Sequence, residues 1–303
     1  MKRFIRFKVS TLVLGVVLGV VALVVPDSAV KPADMVLVEV ERATSVDTSP
    51  DVVWILAVGS DARPGEDMTR TRGDALQLVG LNTRTGAATA IGIPRDSYVA
   101  IPGHGSDRVN AALYYGGPQL LGETVGNMIG IQPEYVFVTR FTMFQKMINS
   151  IGGVYVNNPV AFSDQYLKAN GFKAGRIRLG GYTALAYARV RKSLIGGDFD
   201  RSANQQRILA GIQHKIREKS RKRGWLEHGL LSAMANMDTG GASPAVLFRL
   251  AHAVASLKPS KLSMCVVKGG YATIGGASVV TPYLDQARRY GDEARDDATI
   301  ERC

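Results

Sequence analysis

Residues 187–207, YARVRKSLIGGDFDRSANQQR, hold four arginines, two aspartates and two glutamines against one lysine and no glutamate. A planar guanidinium matches phosphate oxygens two at a time, which lysine cannot do. Arg189 and Arg191, two apart, share a side if the backbone is extended. Arg201 and Gln205, four apart, share a helix face if a helix starts near Asp200. The N-terminus of that helix would add partial positive charge. A basic surface loop leading into a solvated helix is the competing reading. Asp61 and Asp74 lie in a second polar stretch, GSDARPGEDMTRTRGD (59–74), which follows the apolar run VVWILAV. Carboxylates at a strand end with no histidine or cysteine suit a hard cation such as Mg²⁺; otherwise they cap turns. Arg72 lies two before Asp74, and Arg95 follows Pro94 at another strand end. Arg108 and Asn110 sit where a helix could begin, as weaker candidates. There is no nucleophile elbow and no GxxxxGK[ST] loop. Four scattered histidines give no zinc spacing. The inventory therefore points to phosphoryl chemistry on a pyrophosphate, carried by a metal and arginines rather than by a protein nucleophile.

These side chains need a scaffold. The run 52–58 reads as a buried strand, 75–81 and 87–93 as two more joined by a short hairpin loop, and 135–138 as another. Residues 107–115 read as helical. Gly116, Gly117 and Pro118 then interrupt, and Pro118 opens a helix to about Ile129. A helix over 141–151 stops at Gly152-Gly153, before a strand over 154–156. Residues 157–180 read as a long loop. Helices follow at 182–188, 201–221, 226–234 and 244–257, then a strand at 262–267 and a helix begun at Pro282. Alternating strands and helices predict an α/β fold, a sheet sandwiched between helical layers.

The 303 residues carry a net charge of +11. Lys2, Arg3, Arg6 and Lys8 precede 18 uncharged residues, 9–26. That length and basic flank predict a single N-terminal transmembrane anchor with the remainder extracytoplasmic; a cleaved signal peptide is the rival. Either topology argues against nucleic acid as the partner of the basic body. The expected organisation is a cytoplasmic N-terminus 1–8, an anchor 9–26, an irregular linker 27–50, a catalytic domain 51–290 and a disordered tail 291–303. In an oxidising compartment Cys265 and Cys303 could pair, or remain two free thiols.

The order of motifs resembles the LytR–CpsA–Psr family of cell-wall ligases. The pieces that carry the resemblance include ILAVGSDAR (55–63), TRGDALQLVGLN (71–82), IGIPRDSYV (91–99), DRVNAALYYGGP (107–118), GGYTALAYARVR (180–191) and GDFDRSANQQRIL (197–209). Thr139-Arg140 and Asn149 stand where members often have acidic residues. The resemblance implies a central mixed β-sheet between helices and an apolar pocket for a polyprenyl chain. It implies a bacterial, membrane-anchored phosphotransferase with its catalytic domain outside the cytoplasm. Such an enzyme moves a glycopolymer with one phosphate from a polyprenyl-pyrophosphate carrier onto peptidoglycan, at a muramic acid hydroxyl. On this resemblance Asp61 and Asp74 hold Mg²⁺, and Arg72, Arg95, Arg189, Arg191 and Arg201 bind the pyrophosphate. Asp198 and Gln205 match further pocket residues, and the weaker candidates Arg108 and Asn110 are placed with Gln205 as substrate contacts. A pyrophosphate hydrolase using the same site, or a non-catalytic regulator that binds wall polymer, is the alternative.

Overall fold

The computed structural model describes residues 34–41, 49–235, 237–239 and 242–303. Ala33–Cys303 form one compact unit. In chain order the strands are β1 (Met35–Glu39), β2 (Val52–Ser60), β3 (Gly73–Asn82), β4 (Ala88–Gly92), β5 (Tyr98–Ile101), β6 (Gly105–Arg108), β7 (Tyr135–Arg140), β8 (Val154–Asn158), β9 (Phe162–Asp164), β10 (Lys168–Phe172), β11 (Gly175–Leu179), β12 (Met237–Asp238), β13 (Leu262–Val266), β14 (Gly269–Ile274) and β15 (Ala277–Pro282). The helices are α1 (Ala111–Ile129), α2 (Phe141–Ser150), α3 (Gly181–Arg189), α4 (Asp198–Lys219), α5 (Trp225–Met234), α6 (Pro244–Ser256) and α7 (Leu284–Ala294).

Seven strands make the central sheet in the order β12-β1-β7-β2-β3-β4-β13. It is mixed: β2 pairs with β7 in parallel and with β3 antiparallel, and β13 runs parallel to β4. The period of two in a strand decides what each face meets. Trp54, Leu56 and Val58 of β2, with Leu76 and Leu78 of β3 and Val136 and Val138 of β7, pack under α1 and α7. Each such side chain, once fully buried, contributes about 1.5–3 kcal/mol. Val53 and Ile55 point the other way, onto α5 and α6. Further along that second face the odd positions Ala57, Gly59, Ala75, Gln77, Phe137 and Thr139 are not covered by α5 or α6; they line a cavity.

Helix α4 closes that end of the sheet. Gln206 donates to the carbonyls of Ala90 (3.0 Å) and Cys265 (2.7 Å), and Gln77 donates to Ser202 Oγ at 3.0 Å. The approach is close enough that a Cβ on Gly92 would sit 2.3 Å from Ser202 Oγ, so only glycine fits there. Outside the central sheet, β8–β11 and β9–β10 form antiparallel ribbons that pack with α2, α3 and α4.

Several expectations need correction. The segment 27–50 is not an irregular linker throughout, since MVLVE alternates buried and half-buried residues as β1 and pairs with β7. Nor is 291–303 a loose tail: Ala294, Ala298 and Ile300 are buried in the core, and Cys303 is disulfide-bonded to Cys265 on β13. The acidic residues of that segment obscured its buried small and apolar positions. The long loop 157–180 contains β9, β10 and β11, and residues 105–108 form β6 rather than the start of a helix. Within α1 the backbone leaves helical geometry at Gly117, next to Pro118, where the sequence signals a break. The 9–26 anchor lies outside the described residues. Among those described, no helix is long and apolar enough to cross a membrane.

Candidate active site

Two short turns aim the arginines. Val190, at the end of α3, is fully buried with an extended ψ of 132°. Pinning it inward sends Arg189 and Arg191, on either side, into the same cavity, as the i, i+2 spacing predicts. Gly197, at φ 53°, then turns the chain into α4; a Cβ there would meet the Tyr271 hydroxyl at 2.7 Å. Asp198 and Asp200 occupy the first turn of α4, where negative charge suits the helix dipole. One turn further, Arg201 and Gln205 face the cavity together.

The cavity has a volume of ≈ 400 Å³, within the range of small-molecule sites. Asp74, Arg95, Arg189, Arg191, Arg201 and Gln205 form its polar part. Most of its remaining wall is apolar, built from Phe137 of β7, Phe141, Phe144 and Met147 of α2, Leu185 of α3, and Ile208, Leu209 and Ile212 of α4, with Asp164, Tyr166 and Lys192 also on the lining. Along α4 the lining changes from Arg201 and Gln205 to Ile208 and Ile212. The site is therefore amphipathic along one axis.

The charged groups form one network. Arg95 Nη1 is bonded to Asp74 Oδ1, and its Nε lies 3.7 Å from Asp96 Oδ2. Arg191 Nη1 lies 3.3 Å from Asp96 Oδ2 and 3.4 Å from Asp198 Oδ2. Arg201 Nη2 reaches Asp198 Oδ1 at 2.6 Å, and Arg108 Nη1 reaches Asp96 Oδ1 at 3.9 Å. Arg189 lies over the Phe141 ring, 4.8 Å from its centroid. Burial pushes the Asp198 carboxyl up despite Arg201, and burial lowers the Arg201 guanidinium despite Asp198. Burial also works against the charge of Arg95, but Asp74 and Asp96 more than restore it. Such a network holds guanidinium groups in place before any anion arrives, and the buried Arg95 Nε has no hydrogen-bond acceptor of its own.

Not every predicted residue lines the cavity. Asp61 is exposed, and partial desolvation followed by the charge of Asp74 raises its carboxyl. Asp198 stands behind the lining, holding Arg191 and Arg201. Asn110 is buried and its backbone N–H donates to the Arg95 carbonyl at 3.2 Å, so it supports Arg95. Arg108 joins the network through Asp96 alone, and Arg72 is exposed near Asp107 and Tyr115, outside the cavity. Three residues escaped the sequence reading. Asp96 bridges Arg95, Arg108 and Arg191; it directly follows Arg95, but nothing local marks an aspartate as a hub. Gln77 lines the cavity and donates to Gln205 at 3.1 Å; a glutamine inside a buried strand was the available signal. Thr139 lines the cavity although it stood only as a departure from a motif. Its neighbour Arg140 braces the loop after β2 by donating to the Ala62 and Arg63 carbonyls at 3.2 and 2.9 Å.

Asp61 and Asp74 are near enough to feel each other's charge, and the described residues contain no group of three or more metal-ligating side chains. Such a pair fits Mg²⁺, which takes one or two carboxylates and fills its other positions with water and substrate phosphates. It does not fit zinc.

The model of the LytR_cpsA_psr family matches residues 27–293. Over 167 residues the chain is 35% identical to the polyisoprenyl-teichoic acid–peptidoglycan teichoic acid transferase TagU of Bacillus subtilis, a match covering 54% of this chain and 52% of TagU. The chain thus spans about half the length of the curated relatives it matches. Among solved structures, B. subtilis TagV superposes with a TM-score of 0.66 at 25% identity, over 82% of this chain and 98% of that one. The family protein YwtF (TagT), of B. subtilis, solved with bound octaprenyl pyrophosphate lipid, superposes with a TM-score of 0.63 at 26% identity, over 85% and 95%.

Proposed function

Because the chain belongs to the LytR–CpsA–Psr family, we propose that it transfers a glycopolymer, with one phosphate, from a polyprenyl-pyrophosphate carrier to peptidoglycan. The observation that carries this reading is the arginine network at the polar part of a largely apolar cavity. The apolar wall suits an isoprenoid chain, and the adjoining guanidinium groups suit the pyrophosphate it bears. The polyisoprenyl-linked substrate in the name of TagU and the octaprenyl pyrophosphate lipid bound by TagT support this reading.

In the transfer, the acceptor hydroxyl oxygen bonds to the polymer-side phosphorus. The bond from that phosphorus to the bridging oxygen breaks, polyprenyl phosphate leaves with the electron pair, and the hydroxyl proton is released to water. Arg95, Arg189, Arg191 and Arg201 stabilise charge that grows on the phosphate oxygens. Asp96 and Asp198 keep those side chains in place. Gln205 is held by Gln77 and by the Ala188 carbonyl, 3.2 Å away, and orients beside them. Asp61 and Asp74 would hold Mg²⁺, which when bound supplies further positive charge to the pyrophosphate. The site acts on the outer face of the cell membrane, carried by the 9–26 anchor.

The test is turnover of a lipid-pyrophosphate-linked glycan in the presence and absence of a peptidoglycan acceptor. The expected products are polyprenyl phosphate and a phosphodiester-linked glycan. Binding without turnover at any Mg²⁺ concentration would leave a regulatory binder instead.

A further inference from the structure

We infer that the exposed surface made by His104, Tyr114 and Tyr115 is the docking site for the acceptor glycan strand. This rests on the pyrophosphate reading above and adds the subsite of its second substrate.

Residues of two adjoining elements are brought together here. The turn of the β5–β6 hairpin carries His104, and the first turns of α1 carry the tyrosines. The His104 and Tyr115 rings stack, with centroids 4.9 Å apart and planes 9° from parallel. Tyr114 meets Tyr115 edge-on at 5.8 Å and is 61% exposed. The stack is held in place: Tyr115 Oη donates to Asp107 Oδ2 at 2.7 Å, and Arg70 Nη1 donates to the Tyr115 carbonyl at 3.1 Å. None of these residues lines the apolar cavity.

The surface is nevertheless connected to the reacting groups. Asp107 precedes Arg108, whose guanidinium lies 3.9 Å from Asp96 Oδ1. The other oxygen of Asp96 meets Arg191, which does line the cavity. Asp96 thus divides the network into a cavity side and a side that leads through Arg108 to the aromatic surface. Phosphoryl transfer needs the attacking and leaving oxygens roughly in line, on opposite sides of phosphorus. If the leaving polyprenyl phosphate trails its chain into the apolar cavity, the attacking hydroxyl must arrive from the other side. Arg108, Tyr115 and His104 lie off the cavity lining, so the approach of that hydroxyl is assigned to their side. A pyranose ring has an apolar C–H face that packs on an exposed aromatic ring, and a polar rim that hydrogen-bonds to groups such as Asp107.

The decisive experiment measures donor cleavage and glycan transfer together, with the full chain. For the His104→Ala/Tyr114→Ala double variant, both sites being exposed, the acceptor KM should rise by roughly tenfold. Hydrolysis of the same donor by water should stay unchanged. His104→Phe, which keeps a stacking ring, should retain wild-type acceptor KM. Equal losses of transfer and hydrolysis, or no change in transfer, would overturn the assignment. If the wild-type protein cleaves no donor, the pyrophosphate reading fails and the aromatic surface is judged by binding alone. In that case the full chain is titrated with a peptide-free peptidoglycan disaccharide-repeat fragment while the tyrosine ring resonances are followed. Saturable shifts in wild type that vanish in the double variant uphold the site. No shifts, or identical shifts in both, overturn it.

Discussion

Arg189 and Arg191 carry the most specific chemical expectation. Lysine keeps their charge but loses the fork that meets two oxygens at once. Arg189→Lys and Arg191→Lys should each lower kcat by roughly tenfold to a hundredfold, with thermal melts unchanged. Arg84→Lys, at an exposed pair with Asp51 away from the cavity, should have no effect. Near-full activity in both site variants would mean that they supply only a diffuse basic field. Asp61 makes a prediction about pH. Its carboxyl is raised above 3.8 by partial burial and by Asp74, whereas in the unfolded chain it ionises near 3.8. Its favourable contribution to stability is therefore present below pH 3.8 and is lost as the pH rises through the folded value. Asn has no such loss, so the Tm of Asp61→Asn minus that of wild type should be larger near neutral pH than below pH 3.8. Added Mg²⁺ should raise the Tm of wild type but not of the variant. A pH-independent difference, or equal stabilisation by Mg²⁺, would count against Asp61 as a carboxylate coupled to Asp74 and a metal.

At the scale of elements, α4 gives the site its direction. Its first turns hold the charged network and its third and fourth turns line the apolar part of the cavity. Ile212→Trp would fill that apolar part while leaving Arg201 and Gln205 in place. Turnover of donors with long isoprenoid chains should drop, and short-chain donors should react as before. Overpacking of this kind costs about 1–3 kcal/mol, so the melt must be read beside the kinetics. Equal losses for both donors would mean that the isoprenoid chain does not occupy this part of the cavity. The period of 3.6 made much of α4 legible, yet its start is Asp198 rather than Arg201 because the Gly197 turn releases the chain earlier. Of the β8–β11 and β9–β10 ribbons only β8 was legible, as the strand over 154–156. The other three strands are three to five residues long, β10 and β11 are interrupted by glycine, lysine or arginine, and all three are fixed by packing with α3 rather than by their own periodicity.

For the whole molecule, the Cys265–Cys303 bridge ties the C-terminal segment to an edge of the central sheet across 38 residues of sequence. The chain-entropy treatment gives such a loop a stabilisation of about 4 kcal/mol as an upper figure. Cys303→Ser should lower the Tm and should loosen the segment bearing Ala298 and Ile300 before the sheet itself, as read by hydrogen exchange. Uniform loss of protection across the domain would contradict that order. A reporter fused after Cys303 should be active only in its extracytoplasmic form; cytoplasmic activity would remove the membrane-side reading of the site.

The sequence by itself determined the α/β class and the strands β2, β3, β4, β7 and β13, and it offered candidate residues for the site, because those signals are local. Apolar runs of strand length mark β2 and β3, and the arginines of 187–207 with Asp61 and Asp74 stand out by residue type as candidates for an anion and a hard cation. Only the tertiary structure decided which of these residues share a cavity. Arg95, Arg189, Arg191 and Arg201 meet there because the odd-numbered face of the sheet, the end of α3 and the start of α4 converge. Arg72 and Arg108, indistinguishable from them by residue type, fall outside it. Asp96 gains Arg108 and Arg191 beside its neighbour Arg95 only through packing, and the stack of His104 on Tyr115 exists only because a hairpin folds against α1. Spacing along a chain reports which side chains share one element's face; which faces meet depends on how the elements pack, and no short stretch of sequence carries that.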